Sequence, residues 1–207
     1  MRWIAVAASS LALVAAVGGV WVYTSMAGGS GDRFEPCRTA AVAGGAGSIG
    51  GPFELLNSEG DTVTDADVIT EPSLVYFGYT FCPDVCPLDM VRNAQAVDAL
   101  AERGYSAQPV FISIDPERDT PEVVGDFAWN IHEKGVGLTG SPEQVKAASQ
   151  AYRTFYRKQE GDDEFYLVDH STFTYLVLPG EGFVEYFRRD LPPEEIADRA
   201  ACFIDAM

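Results

Sequence analysis

The sequence predicts an α/β fold in which a mixed sheet is flanked by helices, and three observations carry that prediction. Two continuous apolar runs, Leu74–Phe77 and Val110–Ile114, suit strands buried on both faces. Between them Met90, Val91, Ala94, Val97 and Leu100 form a helical stripe within Leu88–Arg103, so the three segments make a βαβ unit. Later in the chain Phe173–Leu178 and Phe183–Phe187 are joined by Pro179-Gly180-Glu181-Gly182, the mark of an antiparallel hairpin.

Taken in order, Trp3–Tyr23 is a run of 21 residues without a charge, about 31 Å as a helix, which matches a bilayer core. It is expected to be a single transmembrane anchor over residues 1–23 whose start stays cytoplasmic. A cleaved signal peptide competes, because Ser25-Met26-Ala27 offers the small residues a signal peptidase reads. In either case the remainder is exported. Residues 24–51 contain eight glycines in 28 positions and no apolar period, and read as a flexible tether. The domain proper is expected over residues 52–207. It opens with an added hairpin, Phe53–Leu56 and Thr62–Thr64 around Ser58-Glu59-Gly60-Asp61, before the βαβ unit. Thr120-Pro121 and Ser141-Pro142 each supply a capping hydroxyl and a proline at the first helical position, and Gln144 adds a capping box. Val145, Ala148, Tyr152 and Phe155 give the second of these helices an apolar face. Pro192-Pro193 opens a last helix reaching Met207, with Ile196, Ala200, Phe203 and Met207 as its stripe.

The 207 residues carry 31 acidic and 14 basic side chains, a formal charge of −17. That excludes a nucleic-acid binder, which needs clustered Lys and Arg, and excludes adhesion to anionic lipid by charge. With 47% hydrophobic residues the chain is not an acidic disordered one. Four Cys and two His are few enough to place individually.

Cys82-Pro83-Asp84-Val85-Cys86-Pro87 follows the buried strand Leu74–Phe77 directly, at the strand end where open α/β sheets carry their chemistry. Pro87 suits a first helical position, so Cys86 is expected at the N-cap, its sulfur near unsatisfied N–H groups that favour thiolate. Three intervening residues make a wider loop than the two of thioredoxin-type redox motifs. Both a disulfide and a two-sulfur metal site fit this spacing. His170, in the polar break Val168-Asp169-His170-Ser171 before the late hairpin, is a third donor or a structural residue. His132, near a helix C-terminus, reads as structural. Two thiolates and an imidazole would select copper over magnesium or calcium, with zinc the rival.

Three blocks together resemble the Sco (SenC-type) family: Tyr76–Pro87, Ser113–Pro121 and Val168–Ser171. The resemblance runs from about Ile49 to the last helix. It implies a thioredoxin-like fold, membrane anchoring and export, here a single-pass protein of the bacterial inner membrane with its domain in the periplasm. It also implies a role in assembling cytochrome c oxidase, by delivering copper to, or reducing the cysteines of, the dinuclear copper site of subunit II. The family's copper ligands map onto Cys82, Cys86 and His170. It assigns nothing to Asp84, Asp115, Arg118 and Asp119; Asp115 and Thr120 read as turn and cap residues near the site.

Cys37 and Cys202 lie outside these blocks. Cys202 falls to one side of the last helix's apolar stripe, and in an oxidising compartment the two remaining cysteines are expected to pair. Three functions follow as alternatives. One is a copper chaperone serving subunit II or another copper-site protein. The second is a thiol–disulfide oxidoreductase acting on partner cysteines, and the third is a redox or copper sensor.

Overall fold

The computed structural model describes residues 32–38, 48–161 and 165–207. The chain divides into two units, one ending at Pro36 and the other running from Cys37 to Met207. The expected anchor Trp3–Tyr23 and most of the tether lie outside the described residues. Among the described residues no helix is long and apolar enough to cross a membrane.

A two-stranded hairpin, β1 (Glu54–Leu56) and β2 (Thr62–Thr64), opens the domain. It leads into a one-turn helix, α1 (Asp65–Val68), closed by a capping box between Thr64 and Asp67 that the sequence reading overlooked. The main sheet has five strands: β3 (Ser73–Gly78), β4 (Gln108–Ser113), β5 (Val136–Leu138), β8 (Thr174–Leu178) and β9 (Gly182–Phe187). Their order is β5-β4-β3-β8-β9. β3 pairs parallel with β4 and antiparallel with β8, so the sheet is mixed, as the βαβ unit and the late hairpin require. Every residue of β3 and β4 is buried, which is why both read as unbroken apolar runs.

Four longer helices surround the sheet: α2 (Val85–Glu102), α3 (Pro121–Ile131), α4 (Pro142–Ala151) and α5 (Pro193–Asp205). α2 packs on α5, while α3 lies against β4 and β5. Gly137 of β5 allows the closest of these approaches: a Cβ there would meet the Val124 carbonyl of α3 at 2.1 Å. Thr120 and Ser141 cap α3 and α4 through their hydroxyls, and Gln144 completes the capping box. On the core side Phe77, Tyr152 and Tyr175 stack at 5.3–5.9 Å between centroids, in tilted and edge-to-face pairs.

Three expectations need correction. α4 stops at Ala151, and Phe155, expected on its apolar face, is exposed. The chain turns out of the helix through Arg153, whose φ of 52° supplies the left-handed step usually given to glycine. Met207, expected on the stripe of the last helix, is also exposed, whereas Ala197 joins Ile196, Ala200 and Phe203 inside. The stretch before the late hairpin is not a plain break. It forms β7 (Val168–His170), which pairs antiparallel with β6 (Tyr156–Lys158) in a small sheet of its own.

Candidate metal centre

The end of β3, the loop into α2 and the end of β7 meet at one place. There Cys82, Cys86 and His170 bring one donor atom each to within 4.8 Å of one another. The Cys86 sulfur lies 3.3 Å from Nε2 of His170. Cys86 is fully buried, and Cys82 retains 9% exposure.

The local chain differs from the expected one. α2 begins at Val85 with Asp84 at the N-cap, so Cys86 is the second helical residue and Pro87 the third. Pro87 costs nothing there, because the N–H it lacks would have had no intrahelical partner. Asp84 makes no side-chain cap. The Cys82 sulfur does so instead, accepting the Cys86 N–H at 3.4 Å, and the neighbouring backbone N–H groups of Asp84 and Val85 add to the field that favours its thiolate. The two thiols are thereby made unequal, in the sense opposite to the expectation. Burial would raise the Cys82 thiol, but these backbone donors and the Cys86 thiol bring it below its ordinary value of 9.0. Burial dominates at Cys86 and pushes its thiol well up.

His170 presents a lone pair to the sulfurs. Its Nδ1 lies 2.8 Å from the Ser171 carbonyl, which can only accept, so the proton sits on Nδ1 and Nε2 is free to donate electrons. Burial lowers the imidazole below its ordinary 6.5 and keeps it neutral at pH 7. Tyr76 and Tyr79 meet the ring edge-on, with centroids 6.1 and 5.8 Å away.

Sequence reasoning missed the residues that hold this arrangement, since nothing in their spacing connects them. The Asp119 carboxylate, 1% exposed, accepts the Thr80 N–H at 3.0 Å and the hydroxyls of Thr80 and Ser113 at 2.5 and 2.6 Å. It ties the end of β4 to the start of the cysteine loop. Arg118 joins three segments. It donates to Asp115 at 2.6 Å and to the Tyr166 carbonyl at 3.1 Å, and its guanidinium lies 3.6 Å from the Tyr166 ring centroid and 4.6 Å from that of Phe81. Asp84 stays on the surface. Thr120 is the N-cap of α3. His132 pairs with Asp98 at 3.3 Å, in keeping with a structural role. Cys37 and Cys202 are joined as a disulfide across 165 residues, with Cα atoms 5.7 Å apart.

Gly78, the last residue of β3, is the floor of the site. A Cβ there would stand 2.9 Å from the Cys86 sulfur, 2.9 Å from Tyr76 Cε1 and 3.0 Å from Phe111 Cε2. Gly78→Ala is therefore expected to displace that sulfur and to destabilise the domain by about 1–3 kcal/mol, measured by urea denaturation. An unchanged midpoint would mean the pocket has slack.

Two sulfurs and one imidazole nitrogen at these separations could hold a single soft cation roughly 2–3 Å from each donor. Oxygen-seeking cations such as magnesium or calcium do not fit the donor set. The cysteine loop exposes Phe81, and the segments just before β6 and β7 expose Phe155, Phe165 and Leu167.

Comparison with known proteins agrees with this arrangement. Residues 42–205 match the SCO1/SenC family. Protein SenC of Rhodobacter capsulatus is 50% identical over 201 residues, covering 97% of this chain and 90% of that one. The human mitochondrial SCO1 homolog is 41% identical over 152 residues, 72% of this chain and 50% of the human one, so this chain spans about half that relative's length. Among solved structures, Arabidopsis thaliana ScoI with copper bound superposes with a TM-score of 0.72 at 40% identity, covering 76% of this chain and 99% of that one. Yeast Sco1 with copper bound gives 0.71 at 32% identity, covering 77% and 90%. The mixed sheet with its helices is thus the thioredoxin-like Sco fold, and this chain belongs to the SCO1/SenC family.

Proposed function

We propose that this chain binds one copper ion through Cys82, Cys86 and His170 and hands it to the dinuclear copper site of cytochrome c oxidase subunit II. It works as a single-pass protein of the bacterial inner membrane with its domain in the periplasm. The observation that carries the reading is the convergence of two sulfurs and a neutral imidazole, its Nε2 turned inward, at the carboxyl end of β3. Thiolates suit copper(I), and imidazole keeps copper(II) acceptable. Three ligands leave one side open, where an incoming partner sulfur displaces them one at a time. Such exchange moves the ion without changing its charge. Copper-bound relatives with the same fold support the assignment.

The test is a copper(I) titration of reduced protein under anaerobic conditions against a competing chelator, followed by mixing with the soluble domain of subunit II. One equivalent retained and then passed on is the expected result. Protein that leaves all copper with the chelator defeats the proposal.

The inequality of the two thiols favours a second reading, thiol–disulfide exchange on a partner. Cys82, its thiol lowered and retaining the little exposure the pair has, would attack, and fully buried Cys86 would resolve the mixed disulfide. In that reaction His170 is dispensable, which separates the two.

A further inference from the structure

Arg118 is not a ligand, yet its guanidinium contacts both segments that carry the ligands. On the cysteine loop, its Cζ lies 4.6 Å from the ring centroid of Phe81, the residue before Cys82, and 5.7 Å from that of Tyr79. On the approach to the histidine strand, Cζ lies 3.6 Å from the Tyr166 centroid, and Nη1 donates to the Tyr166 carbonyl at 3.1 Å. Tyr166 stands four residues ahead of His170. Asp115 fixes both partners of this second contact, accepting Nε of Arg118 and the Tyr166 hydroxyl at 2.6 Å each. Phe81 and Phe165 meet across the same two segments, with centroids 6.2 Å apart.

We propose that Arg118 is a positioning residue of the metal centre: stacked on Phe81 and Tyr166, it holds the Cys82 loop against the histidine strand, so that the three donors stay converged before a metal arrives. The inference rests on the copper-binding reading above. Asp119 anchors Thr80 by hydrogen bonds, but the next residue, Phe81, is 48% exposed and its ring leans on Arg118 and Phe165. What Arg118 offers there is a flat cationic face, which both rings can use. Its Nη2 is buried and has no hydrogen-bond partner. An unpaired buried donor is costly, so the guanidinium is placed by its faces and its other two nitrogens rather than by full hydrogen bonding. Lysine would keep the charge beside Asp115 and offer no plane to either ring. Ligands already held in place bind without a further ordering cost, and outer partners that hold them set metal affinity.

The experiment uses the full reduced chain and copper alone. Wild type and four variants are each given copper(I) against a chelator, and separately one equivalent of copper(II) for the sulfur-to-copper absorption band. Arg118→Lys and Phe81→Leu break the stack from either side, whereas Phe81→Tyr keeps the ring. Leu100→Val trims a fully buried side chain 14 residues beyond Cys86 on α2, about 21 Å along the helix, and so weakens the fold away from the site. In Arg118→Lys and Phe81→Leu copper(I) retention is expected to fall about 10- to 100-fold and the band to lose intensity. Phe81→Tyr and Leu100→Val are expected to match wild type in both. Should Arg118→Lys fail to fold, Phe81→Leu, which alters an exposed side chain, decides alone. Wild-type retention or a wild-type band in a folded Arg118→Lys or Phe81→Leu overturns the proposal, as does an equal loss in Phe81→Tyr or Leu100→Val. If wild type itself shows no sulfur-to-copper band and retains no copper, the copper-binding reading has failed, and this inference falls with it.

Discussion

Replacing His170 with alanine is expected to cut copper(I) retention by more than about 100-fold, beyond the loss typical of outer partners, while the cysteine pair still forms and breaks its disulfide. The imidazole is one of three donors, and its removal leaves a two-sulfur site with a hole where Nε2 stood 3.3 Å from Cys86. Competition against a chelator reads the first effect, and thiol quantification after mild oxidation and re-reduction reads the second. Loss of both would point to a collapsed loop, and retention of copper would remove His170 from the ligand set. pH gives an independent check. Burial holds the imidazole below its ordinary 6.5, so protons compete for Nε2 only under more acidic conditions. Wild-type retention should therefore be insensitive to this group at neutral pH and weaken as pH falls through the lowered value.

The second large effect lies one layer out. Asp119→Ala removes the acceptor of three hydrogen bonds from a site with 1% exposure, stranding the Thr80 N–H and the hydroxyls of Thr80 and Ser113. The expected cost is about 3 kcal/mol, or a melting temperature lower by roughly 6–12 °C for a domain of this size. Because Thr80 leads into the cysteine loop, copper retention should fall with it. Calorimetry of the reduced protein measures the stability change, and a shift below 2 °C, which is roughly 1 kcal/mol or less, would show that water replaces the carboxylate. Asp119→Asn separates charge from hydrogen bonding. Burial raises the Asp119 carboxyl above 3.8 against the pull of Ser113 and Thr80. The folded state then holds this proton more tightly than the unfolded one. Its contribution is full below 3.8 and is lost as pH rises through the raised folded value. The Asn variant lacks that dependence.

Elements whose residues follow one period over many positions could be read directly. The buried strands β3 and β4, the proline-led starts of α3, α4 and α5, and the β8–β9 hairpin all fall where the pattern puts them; of the expected α2 stripe Met90, Ala94, Val97 and Leu100 are buried, whereas Val91 is exposed. β6 and β7 could not be read, because three residues are too few to show alternation and Arg157, Lys158 and Asp169 lie at their surface. The end of α4 was hidden because an arginine, not a glycine, takes the left-handed position. At the metal centre the residue types were visible and their contrast was not. Whether Cys82 or Cys86 sits at the helix's N–H groups depends on where α2 begins, and a sulfur four residues back from Cys86 decides that. Arg118 and Tyr166 are 48 residues apart, and their stacking is a product of the tertiary fold alone.

The covalent link between Cys37 and Cys202 has a mechanical consequence. Any pull on the chain ahead of Cys37 enters the domain through α5 and spreads from there into α2 and the sheet. Were the link cut, the first element of the domain proper to meet the same force would be the separate two-stranded sheet β1–β2 rather than α5.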